Sequence, residues 1–421
     1  KNLDTPDVVY NRYVLGKKDE SANYDTETKL ANNLNIDSIK DLPKTTVDYS
    51  LLRKPDITET DKNCFNKISR QINYKTPINP QIFKCENGNY LAYFTYKGDA
   101  NKVEIAGDFT QWKPKHWRNE IRAEGVPSNS IIGTAYEFAP TARVEYKLIV
   151  DGKWITDPLN PNKIDNGVGG ENSIFKMPDY QPTKWLEYQK TNGEKFFLPS
   201  NTEEIEVQSK IFGTRRIKVY LPGGYDSSYK LEYPVLYVMD GTDYIERAKA
   251  TLIQETLVDA GKIKPFIMVF VDYKDRTKEY WASDDYAKFL ATEVVPAIDK
   301  QYNTIKNRDG RAILGASLGG ITSVHTALKY PEIFSRVGGQ SSSFWVDDKR
   351  VIKELETLDP KSKQFRFYFD TGTLEGVENS RRVNDLLRGK GFSVVYEEGQ
   401  AGHNWTAWRD RLADAFVALW K

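Results

Sequence analysis

The sequence is poor in the residues that metal and redox chemistry require. Its 421 residues include 2 cysteines and 3 histidines. Two cysteines without nearby histidines or paired carboxylates make a poor metal site, so the sequence implies no metal and no organic cofactor. Cys64 and Cys85 can form one disulfide in an exported protein or remain two ordinary thiols, and both alternatives stay open at this point.

The sequence also lacks an excess of either charge and any long hydrophobic run. It has 60 basic and 59 acidic residues, and a net charge of +1 gives no reason to expect a nucleic-acid or anionic-membrane partner. A transmembrane helix needs about 20 apolar residues. The longest apolar run, around Ile267–Val271, has only the length of a buried strand. We therefore predict a globular protein without a membrane span, and the sequence leaves its oligomeric state undefined.

Residue patterns divide the chain into four parts. Residues 1–85 are polar and weakly periodic, which predicts an extended N-terminal segment. Residues 86–180 contain short strands; in Arg143–Val150 the apolar residues recur with period two, as in a half-buried strand. This pattern predicts a small immunoglobulin-like β-sandwich. We interpret residues 181–200 as a linker and residues 201–421 as a catalytic domain.

The catalytic domain alternates strands and helices. Several predicted strands are continuously apolar, as expected for strands that are covered on both faces. The alternation predicts a mostly parallel, doubly wound α/β sheet. The predicted strands are Ile217–Leu221, Val235–Met239, Phe266–Asp272, Ala312–Gly315, Arg336–Gln340, Phe365–Phe369 and Ser393–Glu397, and the predicted helices include Tyr286–Tyr302 and Gly376–Leu387.

The most informative segment is residues 312–320. Here an apolar strand leads directly into Gly-x-Ser-x-Gly, and an apolar helical stretch follows. This is the context of a nucleophile elbow, a sharp turn that exposes a serine above the sheet of an α/β hydrolase. The turn is so tight that the neighbours of the serine must be small, as Gly315 and Gly319 are. Ser317 is therefore the candidate nucleophile.

A serine nucleophile needs a base, and the three histidines allow elimination. His116 lies in the predicted sandwich. His325 follows Ser317 by eight residues on the same predicted helix, about 12 Å along it, which is too far for a hydrogen bond. His403 lies in a loop after the last predicted strand and before a C-terminal helix, where the hydrolase order of nucleophile, acid and base places the base. We predict that His403 is the general base.

The acid that orients the base should lie on a loop between Ser317 and His403. The predicted strand Phe365–Phe369 leads into such a loop, and both Asp370 and Glu375 qualify by position. We favour Glu375, because it lies beyond the strand end, where a loop can reach across to the histidine.

An oxyanion hole requires two preorganised N–H donors. The residue after the nucleophile, Leu318, should supply one of them. The loop after Val235–Met239 should supply the other, from Gly241 or Thr242, since the glycine lets the backbone turn.

Several segments of residues 201–421 occur in the order found in one hydrolase family. They are Val219–Pro222, Tyr237–Gly241, Arg276 with Glu279, Glu293–Pro296, Gly315–Gly320, Tyr330–Phe334 and Gln340–Trp345. This part of the chain resembles the esterase-D-type hydrolases, which include enterobactin, feruloyl and acetyl-xylan esterases and mycolyltransferases. The resemblance implies an α/β-hydrolase fold and ester hydrolysis. It also places the acid in the turn after Gly-Thr, at Glu375.

The predicted sandwich carries a second resemblance. The segments concerned are Gly107–Trp112, Glu145–Lys147, Asp151–Trp154, Asp157–Pro158 and Glu171–Ser173. Together they resemble the early-set sandwich found beside glycogen-binding and isoamylase-type modules. Trp112 and Trp154 can therefore stack on a sugar ring or pack in the core of a small domain.

Three further residues are candidate substrate-binding groups. Arg276 can position an acidic substrate or pair with Glu279, Trp345 can line an acyl pocket or pack beneath it, and Asp240 lies in the loop of the second oxyanion donor. The predicted function is a serine esterase that acts on an acylated polysaccharide, with feruloyl or acetyl esters. A siderophore trilactone esterase, an acyltransferase and a non-catalytic carbohydrate-binding surface protein are the alternatives. The Lys1 start, the cysteine pair and a polymer substrate favour export, with the cytoplasm as the alternative.

Overall fold

Two antiparallel sheets form the first part of the described chain. The computed structural model describes residues 64–65, 67–68, 71–73, 76–98, 100–117, 131–186, 202–361 and 364–421. The strands of the first part are β1 (Gln81–Lys84), β2 (Tyr90–Lys97), β3 (Val103–Gly107), β4 (Lys115–His116), β5 (Ile131–Phe138), β6 (Arg143–Val150), β7 (Lys153–Ile155), β8 (Lys163–Asp165) and β9 (Glu171–Lys176). One sheet has the order β1-β2-β5 and the other β4-β3-β6-β9-β8, with β7 paired to β6. We call these nine strands the β-domain.

Apolar side chains from both sheets of the β-domain meet in one cluster. The ring of Phe94, in β2, lies 5.0 Å from that of Tyr146 in β6 and 5.5 Å from that of Phe175 in β9, in edge-to-face contacts. Such contacts between aromatic rings add to the stabilisation that burial provides. The period-two pattern of the sequence thus places alternate residues in a core that the two sheets share.

The β-domain begins earlier than the predicted boundary. β1 pairs antiparallel with β2 although it lies within residues 1–85. Cys64 and Cys85 form a disulfide, and Ile68 is buried in the same apolar cluster as both cysteines. These contacts fix a segment whose polar composition suggested a separate extension. Residues 1–63 lie outside the described residues.

Residues 202–421 form an eight-stranded mixed sheet. Its strands are β10 (Thr202–Ser209), β11 (Gly213–Tyr220), β12 (Val235–Met239), β13 (Ile267–Val271), β14 (Arg311–Ala316), β15 (Arg336–Gln340), β16 (Arg366–Gly372) and β17 (Ser393–Gly399). The order is β10-β11-β13-β12-β14-β15-β16-β17. β10 and β11 pair antiparallel with their neighbours, and the strands from β13 to β17 are parallel.

Helices cover both faces of this sheet. They are α1 (Gly241–Glu246), α2 (Ala250–Asp259), α3 (Arg276–Tyr280), α4 (Asp284–Phe289), α5 (Val295–Gln301), α6 (Leu318–Lys329), α7 (Val346–Thr357), α8 (Glu378–Gly389) and α9 (Trp405–Trp420). Alternate residues of β12 belong to two different apolar clusters, one on each face, as expected for a strand buried on both sides. The helix predicted at 286–302 comprises α4, a π-helical turn at Leu290–Val294 and α5.

All seven strands predicted for this part are present, and β10 is additional. In β10 only alternate side chains such as Ile205 and Val207 are buried, so the strand lacks the continuous apolar run of its neighbours. The predicted linker, residues 181–200, is described only as far as residue 186. There the backbone carbonyl of Trp185 accepts a hydrogen bond from Thr256 Oγ1 at 3.0 Å, so this stretch packs on α2. Within the described ranges, no helix is both long enough and apolar enough to span a bilayer.

Candidate active site

Ser317 occupies a strained turn between β14 and α6. Its φ is 56° and its ψ is −120°, a region that residues with a side chain rarely adopt. The turn is held because Ser317 N–H donates to the carbonyl of Gln340 at 2.8 Å. A Cβ added at Gly315 would lie 2.4 Å from the backbone of Gly319, so both neighbours must remain small. The sequence pattern therefore produces the elbow it predicts.

The hydroxyl of Ser317 lies beside another serine. Ser317 is 9% exposed, and its Oγ lies 3.1 Å from Oγ of Ser343. Ser343 N–H also donates to the carbonyl of Ser317 at 3.1 Å, so the loop after β15 lies against the nucleophile turn. The N-terminus of α6 begins at the next residue, and its partial positive charge favours negative charge at this position.

His403 and Glu375 lie together at the carboxyl ends of β16 and β17. His403 Nδ1 is 2.6 Å from Glu375 Oε2. The edge of the imidazole ring packs against Trp408 in α9, with the ring centroids 5.0 Å apart. The side chain of Asn404 caps α9 by accepting a hydrogen bond from Ala407 N–H at 3.0 Å, which fixes the point where the histidine loop enters the helix.

The other carboxylate oxygen of Glu375 is held by two donors. Ser341 Oγ and Gly372 N–H each donate to Oε1 at 2.6 Å, and Trp408 Nε1 donates to Ser341 Oγ at 3.0 Å. Burial opposes ionisation of Glu375, but the attraction of His403 and these hydrogen bonds together lower its pKa below the usual value. An ionised carboxylate at this position can hold an imidazole in one tautomer and orientation.

Asp370, the other candidate acid, belongs to a separate buried network. Its Oδ1 accepts from Arg411 Nη2 at 2.9 Å, and its Oδ2 accepts from Gln340 Nε2 at 2.8 Å and from the Tyr368 hydroxyl at 3.0 Å. Asp370 lies inside β16 rather than in the loop beyond it. The structure therefore brings Glu375, and not Asp370, into hydrogen-bonding distance of His403.

Of the candidate oxyanion donors, two remain available and one does not. Thr242 N–H donates to Asp272 Oδ1 at 2.9 Å, so Thr242 is ruled out as a backbone donor. No acceptor in the described part of the chain is bonded to the N–H of Leu318 or of Gly241. A Cβ at Gly241 would lie 2.6 Å from the backbone of Phe270, which explains why this turn requires glycine.

Arg276 and Asp240 pair with each other. Nε and Nη2 of Arg276 donate to Oδ1 and Oδ2 of Asp240 at 2.8 and 2.9 Å, and Nη2 also lies 3.4 Å from the carbonyl of Ala316. Of the two alternatives for Arg276, the pair with Glu279 is wrong, because Glu279 pairs instead with Arg215 at 2.8 Å. Asp240 is only 2% exposed, so it supports the nucleophile turn rather than offering a free substrate contact.

Trp345 is the predicted substrate-binding residue that remains accessible. It is 38% exposed and lies two residues after Ser343. Its ring meets that of Trp281 edge to face at a centroid distance of 6.3 Å. Trp281 follows α3 and is partly buried against the core, so Trp345 is the more accessible ring of the pair.

Sequence reasoning assigned no role to Ser341, Ser343 or Trp408. Ser341 and Ser343 belong to a run of three serines directly after a buried strand, and this position is the only signal that could have identified them. His325, which the spacing argument set aside, is fully buried between Glu354 and Asp284, with its ring nitrogens 2.8 and 3.0 Å from their oxygens. Nothing in the described residues groups three or more His, Cys, Asp or Glu side chains as a metal site.

Comparisons with known proteins relate the chain to esterases. The profile of the Esterase family, described as "Putative esterase", matches residues 209–419. An endo-1,4-β-xylanase/feruloyl esterase of Xylanibacter ruminicola is 30% identical over 237 residues, which cover 52% of this chain but only 31% of that protein. An iron(III) enterobactin esterase of Escherichia coli O6:H1 is 23% identical over 280 residues, which cover 63% of this chain and 68% of that protein.

A similar fold is found among solved structures. The ferric enterobactin esterase of Salmonella typhimurium superposes with a TM-score of 0.65 at 18% identity, over 82% of this chain and 98% of that chain. The comparisons confirm the predicted α/β-hydrolase fold class. They also confirm the predicted resemblance to enterobactin and feruloyl esterases.

Proposed function

Because the chain belongs to the Esterase family, we propose that it hydrolyses carboxylic esters through an acyl-enzyme on Ser317. One observation carries the proposal. A serine on a left-handed strand–helix turn shares the carboxyl edge of one sheet with a histidine whose Nδ1 is 2.6 Å from a buried carboxylate. This combination provides a nucleophile, a base and an orienting acid in the chain order of α/β hydrolases.

In the first step, Ser317 Oγ attacks the ester carbonyl carbon while His403 Nε2 accepts the hydroxyl proton. Glu375 accepts the hydrogen bond from Nδ1–H and stabilises the imidazolium. The N–H groups of Leu318 and Gly241 stabilise the oxyanion, and one such donor typically contributes about 10²–10³ in rate. The bond to the alcohol oxygen then breaks, the imidazolium protonates that oxygen, and the acyl group remains on the serine.

In the second step, water replaces the alcohol. His403 accepts a proton from the water as its oxygen attacks the acyl carbon, and the same two N–H groups stabilise the second tetrahedral intermediate. The bond to Ser317 Oγ breaks, the imidazolium returns its proton to the serine, and the carboxylic acid leaves. Over the two steps His403 accepts one proton from Ser317 and one from water. It donates one to the alcohol and one back to Ser317, so the starting enzyme is restored.

We infer that the preferred substrate carries an aromatic acyl group on a polysaccharide, as in a feruloyl ester. The accessible ring of Trp345, in edge-to-face contact with Trp281, supports this inference, because aromatic acids stack well on aromatic side chains. The 30% identical relative is named a feruloyl esterase. Arg276 donates to both oxygens of Asp240, so its charge is neutralised within the protein. It therefore gives no advantage to an acidic ester over a neutral one.

A siderophore trilactone is the second candidate substrate. The similarity to a solved enterobactin esterase extends over 82% of the chain, which is more than residues 202–421 alone. Catechol rings are also aromatic, so the tryptophan pair is compatible with either substrate. Direct comparison of the two ester classes decides between them.

We also propose that the protein works in an oxidising compartment. The Cys64–Cys85 disulfide supports this location, since disulfides persist mainly in exported proteins.

The first test compares wild type with Ser317→Ala and His403→Ala. We expect hydrolysis of p-nitrophenyl acetate and methyl ferulate by wild type, with kcat reduced by about 10⁴-fold or more in both variants. Relative kcat/KM for methyl ferulate and a tris-catechol trilactone then defines the substrate class. Product analysis with an added sugar alcohol measures acyl transfer in the same assay.

Two results would contradict the proposal. Inactive wild type with every ester would favour the non-catalytic binding protein, and polysaccharide pull-down would then test that alternative. Full activity of Ser317→Ala would show that another group is the nucleophile.

A further inference from the structure

Two loops carry the candidate acid and base, and they are joined to each other. The acid loop, residues 372–376, follows β16, and the base loop, residues 400–404, follows β17. Leu374 N–H donates to the carbonyl of Ala401 at 3.2 Å. The Thr373 hydroxyl donates to Gln400 Oε1 at 2.8 Å. A shift of either loop therefore moves the other.

The acid loop is anchored in the β-domain. Leu374 is 9% exposed and belongs to the same apolar cluster as Phe109, Phe138 and Phe175, which are core residues of the β-domain. Among the described residues of 202–421, Leu374 alone belongs to that cluster. Since Leu374 directly precedes Glu375, this apolar contact fixes the backbone from which the carboxylate extends.

The base loop is anchored by Asp108. A Cβ added at Gly402 would lie 2.0 Å from Asp108 Cγ, so the backbone beside His403 rests directly on this carboxyl group. Asp108 Oδ2 accepts from Glu145 N–H at 2.8 Å and faces Asn404 Nδ2 at 3.4 Å. The aspartate thus connects the strand β6 of the β-domain to the two residues that flank His403.

A second set of hydrogen bonds lies beside Asp108. Arg143 N–H donates to the carbonyl of Gln400 at 3.1 Å, and Arg143 Nη1 lies 3.3 Å from Asn404 Oδ1. The guanidinium is held by Glu145 at 2.9 Å, and both side chains of this ion pair are buried. Trp112, considered above for sugar stacking, donates through Nε1 to Asp108 Oδ1 at 3.3 Å. In the segment Gly107–Trp112, which resembles part of a sugar-binding module, Trp112 thus bonds Asp108, and Asp108 contacts the base loop.

We propose that the β-domain positions the catalytic pair: Asp108 holds the loop of His403, and the core around Leu374 holds the loop of Glu375. This role rests on the proposed function, because it assigns positioning residues to that reaction. Asp108 is a positioning residue and touches no reacting atom. Its contribution acts through the distance and angle between the imidazole and Ser317 Oγ, and small errors in this geometry are costly in rate.

Asp108→Ala removes the support of Gly402 and the contact with Asn404. We expect kcat for p-nitrophenyl acetate to fall about 10- to 100-fold while KM changes less than about twofold. The acid limb of the kcat–pH profile should also shift, because the environment of His403 changes. Asp108→Asn keeps the shape and the acceptor oxygen, and it should restore most of the activity. Leu374→Ala should reduce kcat in the same way, and Leu374→Met should retain it.

A buried carboxyl group elsewhere in the β-domain provides the matched control. Asp157 is fully buried and bonds the Tyr146 hydroxyl at 2.7 Å and Asn79 Nδ2 at 2.8 Å, all within the β-domain. Asp157→Ala should lower stability but leave kcat per folded molecule unchanged. The folded fraction of each variant, taken from urea denaturation under the assay conditions, normalises kcat.

A double-mutant cycle tests the path of the effect. Asn404→Ser retains a good helix cap for α9 but loses the contacts with Asp108 and Arg143. If Asp108 acts through this loop, the effects of Asp108→Ala and Asn404→Ser on kcat should be less than additive.

Distinct outcomes contradict the two proposals. Wild-type kcat in both Asp108→Ala and Leu374→Ala would overturn the positioning role while leaving the esterase intact. An equal loss of kcat in Asp157→Ala would also overturn it, because the effect would then come from general destabilisation. Inactive wild type would overturn the proposed function and this inference with it.

Discussion

Glu375 and Asp370 lie near the same edge of the sheet but have different partners. Glu375 can therefore act as the acid, whereas Asp370 has a structural role. Glu375 bonds His403 through one oxygen and two donors through the other. Asp370 instead neutralises Arg411 inside the sheet. Position along the chain favoured Glu375, since it lies beyond the strand end, but it could not show these partners.

Exchanging each carboxylate for an amide should separate activity from stability. Glu375→Gln should lower kcat by about 10²–10⁴-fold, because an amide cannot stabilise the imidazolium. Asp370→Asn should cost about 3–5 kcal/mol of unfolding free energy, because the buried Arg411 then loses the carboxylate that it hydrogen-bonds. Ester kinetics and urea denaturation of both variants check this. The reverse result, with kcat lost mainly in Asp370→Asn, would identify Asp370 as the acid.

The raised pKa of Asp108 predicts that its contribution to stability falls as the pH rises. For an ordinary ion-paired carboxylate, whose pKa is lowered, this contribution rises with pH. Burial, together with the negative charge of Glu145, raises the pKa of Asp108 from 3.8 to about 8, while Arg143 partly opposes the rise. The folded protein then keeps a proton that the unfolded chain has lost. This contribution to stability is complete below about pH 4 and is lost as the pH rises to about 8.

Asp108→Asn should remove this pH dependence. The difference in unfolding free energy between variant and wild type should move in favour of the variant from pH 4 to pH 8, because an amide has no proton to lose. Urea denaturation at intervals of one pH unit measures the difference. A difference that stays constant over this range would show that Asp108 titrates near its usual value.

At the scale of elements, the nucleophile turn depends on close approach of backbones. Gly315→Ala should remove activity and cost about 1–3 kcal/mol of unfolding free energy, because its Cβ would meet the backbone of Gly319 at 2.4 Å. Gly389→Ala is the matched control: this residue ends α8, and nothing lies within 4 Å of its added Cβ. It should be neutral or slightly stabilising. Equal effects of both substitutions in thermal melts and ester assays would contradict the packing argument.

The sequence predicted those elements that depend on local patterns. The apolar strands and the Gly-x-Ser-x-Gly turn follow from periodicity and side-chain size, and both are observed. The edge strand β10 has only two apolar positions buried in alternation, a pattern too weak to stand out. The sequence also could not show that Thr242 is unsuitable as an oxyanion donor, because only the folded structure shows that its N–H already donates to Asp272.

At the scale of the whole molecule, one covalent link ties the start of the described chain to the β-domain. Cys64→Ser with Cys85→Ser should lower the unfolding free energy by about 3 kcal/mol, since the disulfide closes a loop of 21 residues. Activity at 25 °C should persist, because the link lies in the apolar cluster of Ile68 and Leu91, away from Asp108 and its loop contacts. Reversible melts with and without reductant measure the change, and an unaltered melting temperature would contradict it.

Contacts between distant parts of the chain lie beyond pattern-based prediction. The pairing of Arg276 with Asp240 spans 36 residues, and that of Asp108 with Asn404 spans 296. Neither has a periodic signature, and for Arg276 the nearer acid, Glu279, was the natural expectation. The sequence could therefore predict Ser317, His403 and, as the favoured acid, Glu375, but not the support that holds them in place.

The docking of both loops on the β-domain also has a consequence for synthesis. A ribosome that adds 5–20 residues per second needs roughly 4–17 s for the 86 residues between Ser317 and His403. During that interval the emerging serine has no partner to remove its proton. The β-domain precedes both loops in the chain, so it can already be folded when the loop of His403 docks on it. The nascent chain should thus stay inactive towards esters until the loop of His403 has been made, and it should gain its reactivity at that step.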